Sequence, residues 1–273
     1  MATSVVVAYV GRILVRGRAR HARTDADGGS VFVHKTVMEG VYWFLNPLID
    51  LLASLRITPD MVTLFALVPA TLAGVAAGFG WFALAGGLCM LGTFCDILDG
   101  LLARKLGVSS DAGEVIDAAV DRYSELFLLG GMTIYYRTHW MMMLLTLGAL
   151  GGSFLFSYTT AKTEAMGEKP ARGSMRRAER ATYLITACVF TAVTRVVFAG
   201  MPSHALREAP IIFSLLLVAI VTNVQSVQRF AALVDALRAR RRAAAEALAH
   251  PHPAEPLKPL LPEPAAETGG RTS

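Results

Sequence analysis

Six stretches of about 20 mostly apolar residues, at 62–80, 81–101, 117–136, 140–160, 181–200 and 210–230, constrain this chain more than anything else in it. Each is close to the roughly 20 residues that an α-helix needs to cross the hydrocarbon core of a bilayer. Lipid offers no partners to backbone N–H and C=O groups, so segments of this kind must satisfy them internally, as helices do. Only 17% of the residues are charged, against ~25% in an ordinary soluble domain. The expected fold is therefore an all-α integral membrane protein with six transmembrane helices. Ahead of the first span, residues 40–56 (GVYWFLNPLIDLLASLR) carry Tyr42, Trp43 and Pro47 and read as an interfacial amphipathic helix.

The charges divide the connections into two kinds. Arg12, Arg16, Arg18, Arg20, Arg23, Lys35 and Arg56 precede the first span, and Arg104 and Lys105 follow the second. Lys162, Lys169, Arg172, Arg176, Arg177 and Arg180 fill the connection after the fourth, and Arg229, Arg238, Arg240, Arg241 and Arg242 come at the end of the sixth or beyond it. The alternate connections hold little more than Arg137 and Arg207. Basic residues favour the cytoplasmic side, so both termini are expected in the cytoplasm, with the protein in the cell (inner) membrane. The organisation expected is a basic segment over 1–39, a membrane domain over 40–230, and a basic, then Pro- and Ala-rich disordered tail over 231–273. The N-terminus does not read as a signal peptide, because its charges follow the apolar run rather than precede it. Cys89, Cys95 and Cys188 all fall in apolar stretches without CxxC spacing, and are expected as free thiols.

The acids are the anomaly. In CDILDGLLARKLGVSSDAGEVIDAAVDRYSE, Asp96 and Asp99 lie three apart on one helix face, and Asp117, Asp121 and Glu125 form a second stripe at intervals of four. The short connection between them makes the two helices antiparallel neighbours, so the two sets of acids face each other. One carboxylate in a membrane helix costs ~2.5–3.5 kcal/mol on insertion scales, and Arg104 and Arg122 are too few to neutralise four. Divalent metal removes the conflict, since hard oxygen ligands suit magnesium, manganese or calcium. Two ions would nearly balance the charge and could serve a phosphate displacement. Gly100 and Gly113 would let a bulky ligand approach the backbone, and Arg104 could fork onto phosphate oxygens. Taken singly, the glycines could equally serve helix packing and Arg104 could mark the membrane boundary. Arg122 and Arg195, charged within spans, are further functional candidates.

The pattern Asp96-x2-Asp99-Gly100-x2-Ala103-Arg104-x8-Gly113-x3-Asp117-x3-Asp121 resembles the signature of the CDP-alcohol phosphotransferases, with all eight fixed positions matched over 26 residues. The resemblance implies a six-span fold over about 40–230 and an enzyme of phospholipid biosynthesis. It transfers a phosphatidyl group from a CDP-linked lipid such as CDP-diacylglycerol to a polar alcohol and releases CMP. It further implies two magnesium or manganese ions on Asp96, Asp99, Asp117 and Asp121, with Asp121 as the catalytic base. Gly100, Arg104, Gly113 and Thr63 would lie on the nucleotide. Many relatives carry Pro-Asn where this chain has Pro59-Asp60, which leaves that segment's part in nucleotide binding less defined.

The acceptor is read from the basic connection. Lys162, Arg172, Arg180 and Arg195 are candidates to bind an anionic alcohol, since clustered cations at a membrane mouth bind phosphate; they could also simply fix topology. Ser157-Tyr158 and Ala161-Lys162-x-Glu164 resemble the phosphatidylinositol-phosphate synthase branch, which implies inositol phosphate. Glycerol phosphate or serine are the alternatives within the family. No nucleic-acid partner is expected, and relatives of this fold are often homodimers. The reading from a different class is an intramembrane cation transporter, with a non-catalytic lipid binder as a third.

Overall fold

The structure, a computed structural model, describes residues 35–249 except 171, 172, 174 and 202. Every regular element among the described residues is a helix. Most of the expected 1–39 segment and the tail from 250 onward lie outside those residues.

The first helix, α1 (Lys35–Ser54), is where the interfacial helix was expected. Its Leu45 and Ile49 are buried against Val62, Leu98 and Leu102, while Phe44 and Leu51 on other faces are exposed. The chain then turns through Arg56, which takes a left-handed φ of 57°. Thr58 caps the next helix by accepting the Met61 N–H, and Pro59 sits at its start, where a missing N–H costs nothing. Helices α2 (Pro59–Phe65) and α3 (Leu67–Gly78) run almost end to end and form the first 20-residue span.

Helix α4 (Phe82–Leu106) ends on Gly107 at φ 67°. There Val108 N–H bonds Ala103 C=O and Gly107 N–H bonds Arg104 C=O, a Schellman closure that turns the chain sharply. Three residues later Ser110 caps α5 (Asp111–Tyr135) by accepting the Gly113 N–H at 3.1 Å. The helices α6 (Trp140–Ala165), α7 (Arg177–Val197), the single turn α8 (His204–Arg207) and α9 (Ala209–Ala249) complete the bundle.

Five segments, Pro59–Gly78, α4, α6, α7 and Ala209–Glu246 within α9, are long and apolar enough to cross a membrane. The expected third span is the exception. At 25 residues α5 has the length, but Asp111, Glu114, Asp117, Asp121, Arg122 and Glu125 take its first half below that apolarity. It is packed inside the bundle between α3 and α6. The expected boundary at 230/231 also falls within a helix: α9 continues unbroken to Ala249. At 1.5 Å per residue its 41 residues span about 62 Å, twice the roughly 30 Å hydrocarbon core. Arg238, Arg240, Arg241 and Arg242 toward its end are exposed.

One core cluster joins α3, α4, α5, α6, α7 and α9 through Ala77, Phe82, Leu129, Met132, Ala149, Cys188 and Leu215, all essentially inaccessible. Outward faces carry Val68, Leu72, Leu144, Phe190, Phe213 and Val227, the apolar coat a lipid-facing bundle needs. The three cysteines are free, as expected. The closest approach is between α3 and α5, where backbone meets backbone. A Cβ on Gly131 would overlap the Gly74 carbonyl, and one on Gly74 would overlap the Phe127 carbonyl. Small residues at such crossings replace a hydrophobic drive that lipid does not supply.

Gly131→Ala should therefore destabilise the detergent-solubilised protein by about 1–3 kcal/mol, the usual cost of overpacking. Gly130→Ala, one position away in open space, should leave the thermal midpoint unchanged or higher. Equal midpoints for the two variants would contradict this packing.

Candidate active site

The Schellman turn and the Ser110 cap reverse the chain between α4 and α5, but the two helices are not the packed neighbours expected. They touch little, both pack against α2 and α3, and the two acidic stripes meet across that arrangement near one end of the bundle. One carboxylate oxygen from each of Asp96, Asp99 and Asp117 lies within 4.8 Å of the others. Hard oxygens at about this separation can share one divalent cation. The residues present therefore fit a metal ion. Asp99 is buried and accepts a 2.6 Å hydrogen bond on Oδ2 from the Thr63 hydroxyl, which orients it from α2.

Asp121 is not part of that trio. It is buried on α5, and its Oδ1 is paired with Nη2 of Arg177 at the start of α7. The same guanidinium donates through Nη1 to Asp96 Oδ1 at 3.0 Å. Arg177 was read from sequence only as one of several loop cations, yet it bridges two of the four aspartates. The fifth acid of the region, Glu125, accepts from Arg180 Nε at 2.8 Å, while Arg180 Nη1 donates to the Met175 carbonyl at 3.0 Å. Asp96, Asp99, Asp117, Asp121, Glu125 and Arg177 line one cavity between α4, α5 and α7.

A second cleft opens beside it. Asp60, Thr63, Gly100, Ser110, Gly113 and Asp117 form its walls, and Asp99 contributes to both spaces. At both glycines an added Cβ would stand in ordinary van der Waals contact with its neighbours. A Cβ on Gly113 would sit 3.4 Å from Asp60 Oδ1 and from Ser110 Oγ, and one on Gly100 would sit 3.5 Å from Arg104 Nη1. The Arg104 guanidinium thus lies over Gly100, one turn back along α4. Of the residues expected on a nucleotide, Thr63, Gly100 and Gly113 line this cleft and Arg104 lies beside Gly100.

The four acceptor candidates are not. Lys162 is exposed on the last turn of α6, at the acid end of the bundle. Arg172 lies outside the described residues. Arg180 is 1% exposed; beyond Glu125 and Met175 it faces the Phe156 ring, 5.6 Å from its centroid. Arg229 lies over the same ring at 3.9 Å and donates to Thr160 at 2.6 Å, so the two arginines tie α6, α7 and α9 together. Arg195 corrects an expectation. It sits 15 residues beyond Arg180, about 22 Å along the helix, at the far end of the bundle. There it donates at 2.6 Å to the Gly80 carbonyl, to the Tyr135 hydroxyl and to Glu208 Oε1. Those partners hold the outer ends of α3, α5, α7 and α9 together, away from the acids. Arg122, the other charged candidate within a span, is half-buried on α5 beside Asp121.

Comparison with known proteins agrees with this geometry. The model of the CDP-alcohol phosphatidyltransferase family matches residues 56–236. The chain is 35% identical over 143 residues to the archaetidylinositol phosphate synthase of Pyrococcus horikoshii, covering 52% of this chain and 74% of that one. It is 32% identical over 156 residues to the phosphatidylinositol phosphate synthase of Cutibacterium acnes, covering 56% and 75%. In fold it is similar to the Mycobacterium tuberculosis phosphatidylinositol phosphate synthase with CDP-DAG bound, at TM-score 0.59 and 24% identity over 68% of this chain and 92% of that one. The same enzyme in complex with manganese and citrate aligns at TM-score 0.60. With the aspartates gathered at one end of a six-helix bundle and two thirds of its length matched, the chain belongs to the CDP-alcohol phosphatidyltransferase family.

Proposed function

We propose that this enzyme moves the phosphatidyl group of CDP-diacylglycerol onto an inositol phosphate and releases CMP. The class is that of its family: a membrane transferase of phospholipid biosynthesis acting on a CDP-linked lipid and a polar alcohol. The observation that carries the reading is the cluster of Asp96, Asp99 and Asp117 beside a glycine-walled cleft. Asp96, Asp99, Asp117 and Asp121 would hold magnesium or manganese, two ions when all four aspartates contribute. Bound there, such ions polarise phosphoryl oxygens and lower the cost of the departing negative charge.

The chain's own groups divide the remaining work. Gly100 and Gly113 admit the cytidine diphosphate close to the backbone, and Arg104 lies where it can pair with a phosphate. Thr63 keeps Asp99 turned inward through its 2.6 Å hydrogen bond. Asp121 takes the proton of the acceptor hydroxyl; that oxygen forms a bond to the lipid-side phosphorus, and the bond from phosphorus to the CMP oxygen breaks. Burial on the cavity wall keeps the base away from bulk water.

The inositol phosphate acceptor rests on two supports. Both relatives named by activity are inositol phosphate lipid synthases, and the acid end carries the cations Lys162, Lys169, Arg176 and Arg177 in one short connection. Lys162, exposed on the last turn of α6, and Arg172 of the connection that follows are the residues we assign to the anionic acceptor. Basic residues favour the cytoplasmic side, which supports a cytoplasmic site in the cell (inner) membrane, and the family resemblance supports a homodimer. The transport reading has no support in the geometry: the far-end pair Arg195–Glu208 is closed on itself at 2.6 Å, and no chain of acids links it to the cluster among the described residues.

Asp121→Asn should fold normally and lose about 10²–10⁴-fold in kcat, the range for a general base; activity near wild type would remove Asp121 from that role. Product analysis with inositol phosphate, glycerol phosphate and serine offered separately should give a phosphoinositide lipid from the first alone. Lys162→Ala should then raise KM for inositol phosphate about tenfold or more, as expected for a charged hydrogen bond, with KM for CDP-diacylglycerol unmoved. A product from glycerol phosphate or serine instead would overturn the acceptor assignment.

A further inference from the structure

We propose that Arg177 is the counter-cation of the carboxylate cluster when metal is absent, and that it holds Asp121 apart from Asp96, Asp99 and Asp117 until a divalent ion displaces it. The inference rests on the metal reading given above and deepens it.

The geometry separates the four aspartates into unequal sets. Three offer oxygens to a common point within 4.8 Å of one another. The fourth, Asp121, is turned to Nη2 of Arg177. Nη1 of the same guanidinium reaches back into the trio at Asp96 Oδ1, 3.0 Å away. Arg177 therefore spans the gap between the trio and Asp121, neutralising one acid of the trio and the acid outside it. A divalent ion drawn to Asp96 and Asp121 meets this guanidinium on the same oxygens. Two cations competing for one carboxylate in a poorly solvated site repel each other strongly, so occupancy by one disfavours the other.

Position on the helix shows which arginine can yield. Arg180, one turn further along α7, is 1% exposed and is fixed by Glu125, the Met175 carbonyl and the Phe156 ring. Arg177 is the first residue of α7, at the end of the connection from α6, and its side chain is 32% exposed. It has a way out to water that Arg180 lacks. A chain that must fold before it finds its metal needs such a residue, because unneutralised carboxylates within 4.8 Å of one another oppose the closing of α4 and α5 onto α2. Arg177 is in this sense a positioning residue: it decides where Asp121 points and how tightly the full set of aspartates takes up metal.

The test uses the full-length protein in detergent, stripped with chelator, with manganese(II) alone as the probe. Calorimetry on wild type should show binding, and Arg177→Gln should bind manganese about tenfold more tightly or better, the scale of a close charge pair. In chelator, Arg177→Gln should melt below wild type, and manganese should raise its midpoint by more than it raises wild type's. Arg177→Lys keeps the charge but has no fork to bridge two carboxylates; its affinity should fall between the other two. Manganese affinity in Arg177→Gln equal to or weaker than wild type would overturn the proposal. So would wild-type affinity in Arg177→Lys, because the field of the charge alone would then account for the effect. Wild type that binds no manganese would sink the metal reading itself, which the variants do not address.

Discussion

Four aspartates near the membrane end of a helical bundle set the terms for the rest of this molecule. Each would cost ~2.5–3.5 kcal/mol if inserted unaided at the centre of a bilayer, and their mutual repulsion adds to that. The fold limits the cost in three ways. It places the acids toward the end of α4 and the start of α5, close to the polar connections. It orients Asp99 with the Thr63 hydroxyl, and it brings Arg177 across from α7 onto Asp96 and Asp121. What remains is an oxygen-rich space that suits a divalent ion, so the arrangement is costly as structure and useful as a site.

The opposite end of the bundle shows what the site end gives up. There Arg195, Glu208 and Tyr135 satisfy one another and the Gly80 carbonyl at 2.6–2.8 Å, and the tightest backbone crossing, Gly74 against Gly131, lies in the same α3–α5 pair. The core cluster packs that half densely through Phe82, Leu129 and Met132. Rigid packing at one end lets the other hold an open cleft with glycine walls without the helices separating. Stability and chemistry thus occupy different halves of the same six helices.

Much of this was legible in the chain. Apolar runs of bilayer length place the helices, because a membrane segment has few other ways to satisfy its backbone. The spacing of Asp96, Asp99, Asp117 and Asp121 predicts their convergence, because a short connection keeps those ends of α4 and α5 close. That α2 and α3 pack against both helices, rather than the two helices against each other, was not legible. Arg177 was not legible as a site residue. Which carboxylate a loop cation reaches depends on where α7 begins and how it leans on α4, and spacing says nothing of either. Arg195 misled for a related reason: a charge in a span signals a buried partner, and here the partner is Glu208, across a turn that hydropathy does not resolve. The extension of α9 escaped because RARRRAAAEALA favours helix through Ala, Arg and Glu rather than through apolarity.

On the proposed reading, the aspartate cluster works only with a divalent metal and a CDP-linked lipid. The most direct measurement follows CMP release by the purified, chelator-treated enzyme given CDP-diacylglycerol and inositol phosphate, before and after manganese or magnesium is added. The account predicts no release in chelator, release restored by either ion, and none from Asp96→Asn or Asp99→Asn at any metal concentration. CMP release that persists undiminished in chelator, or that survives those substitutions, would contradict it.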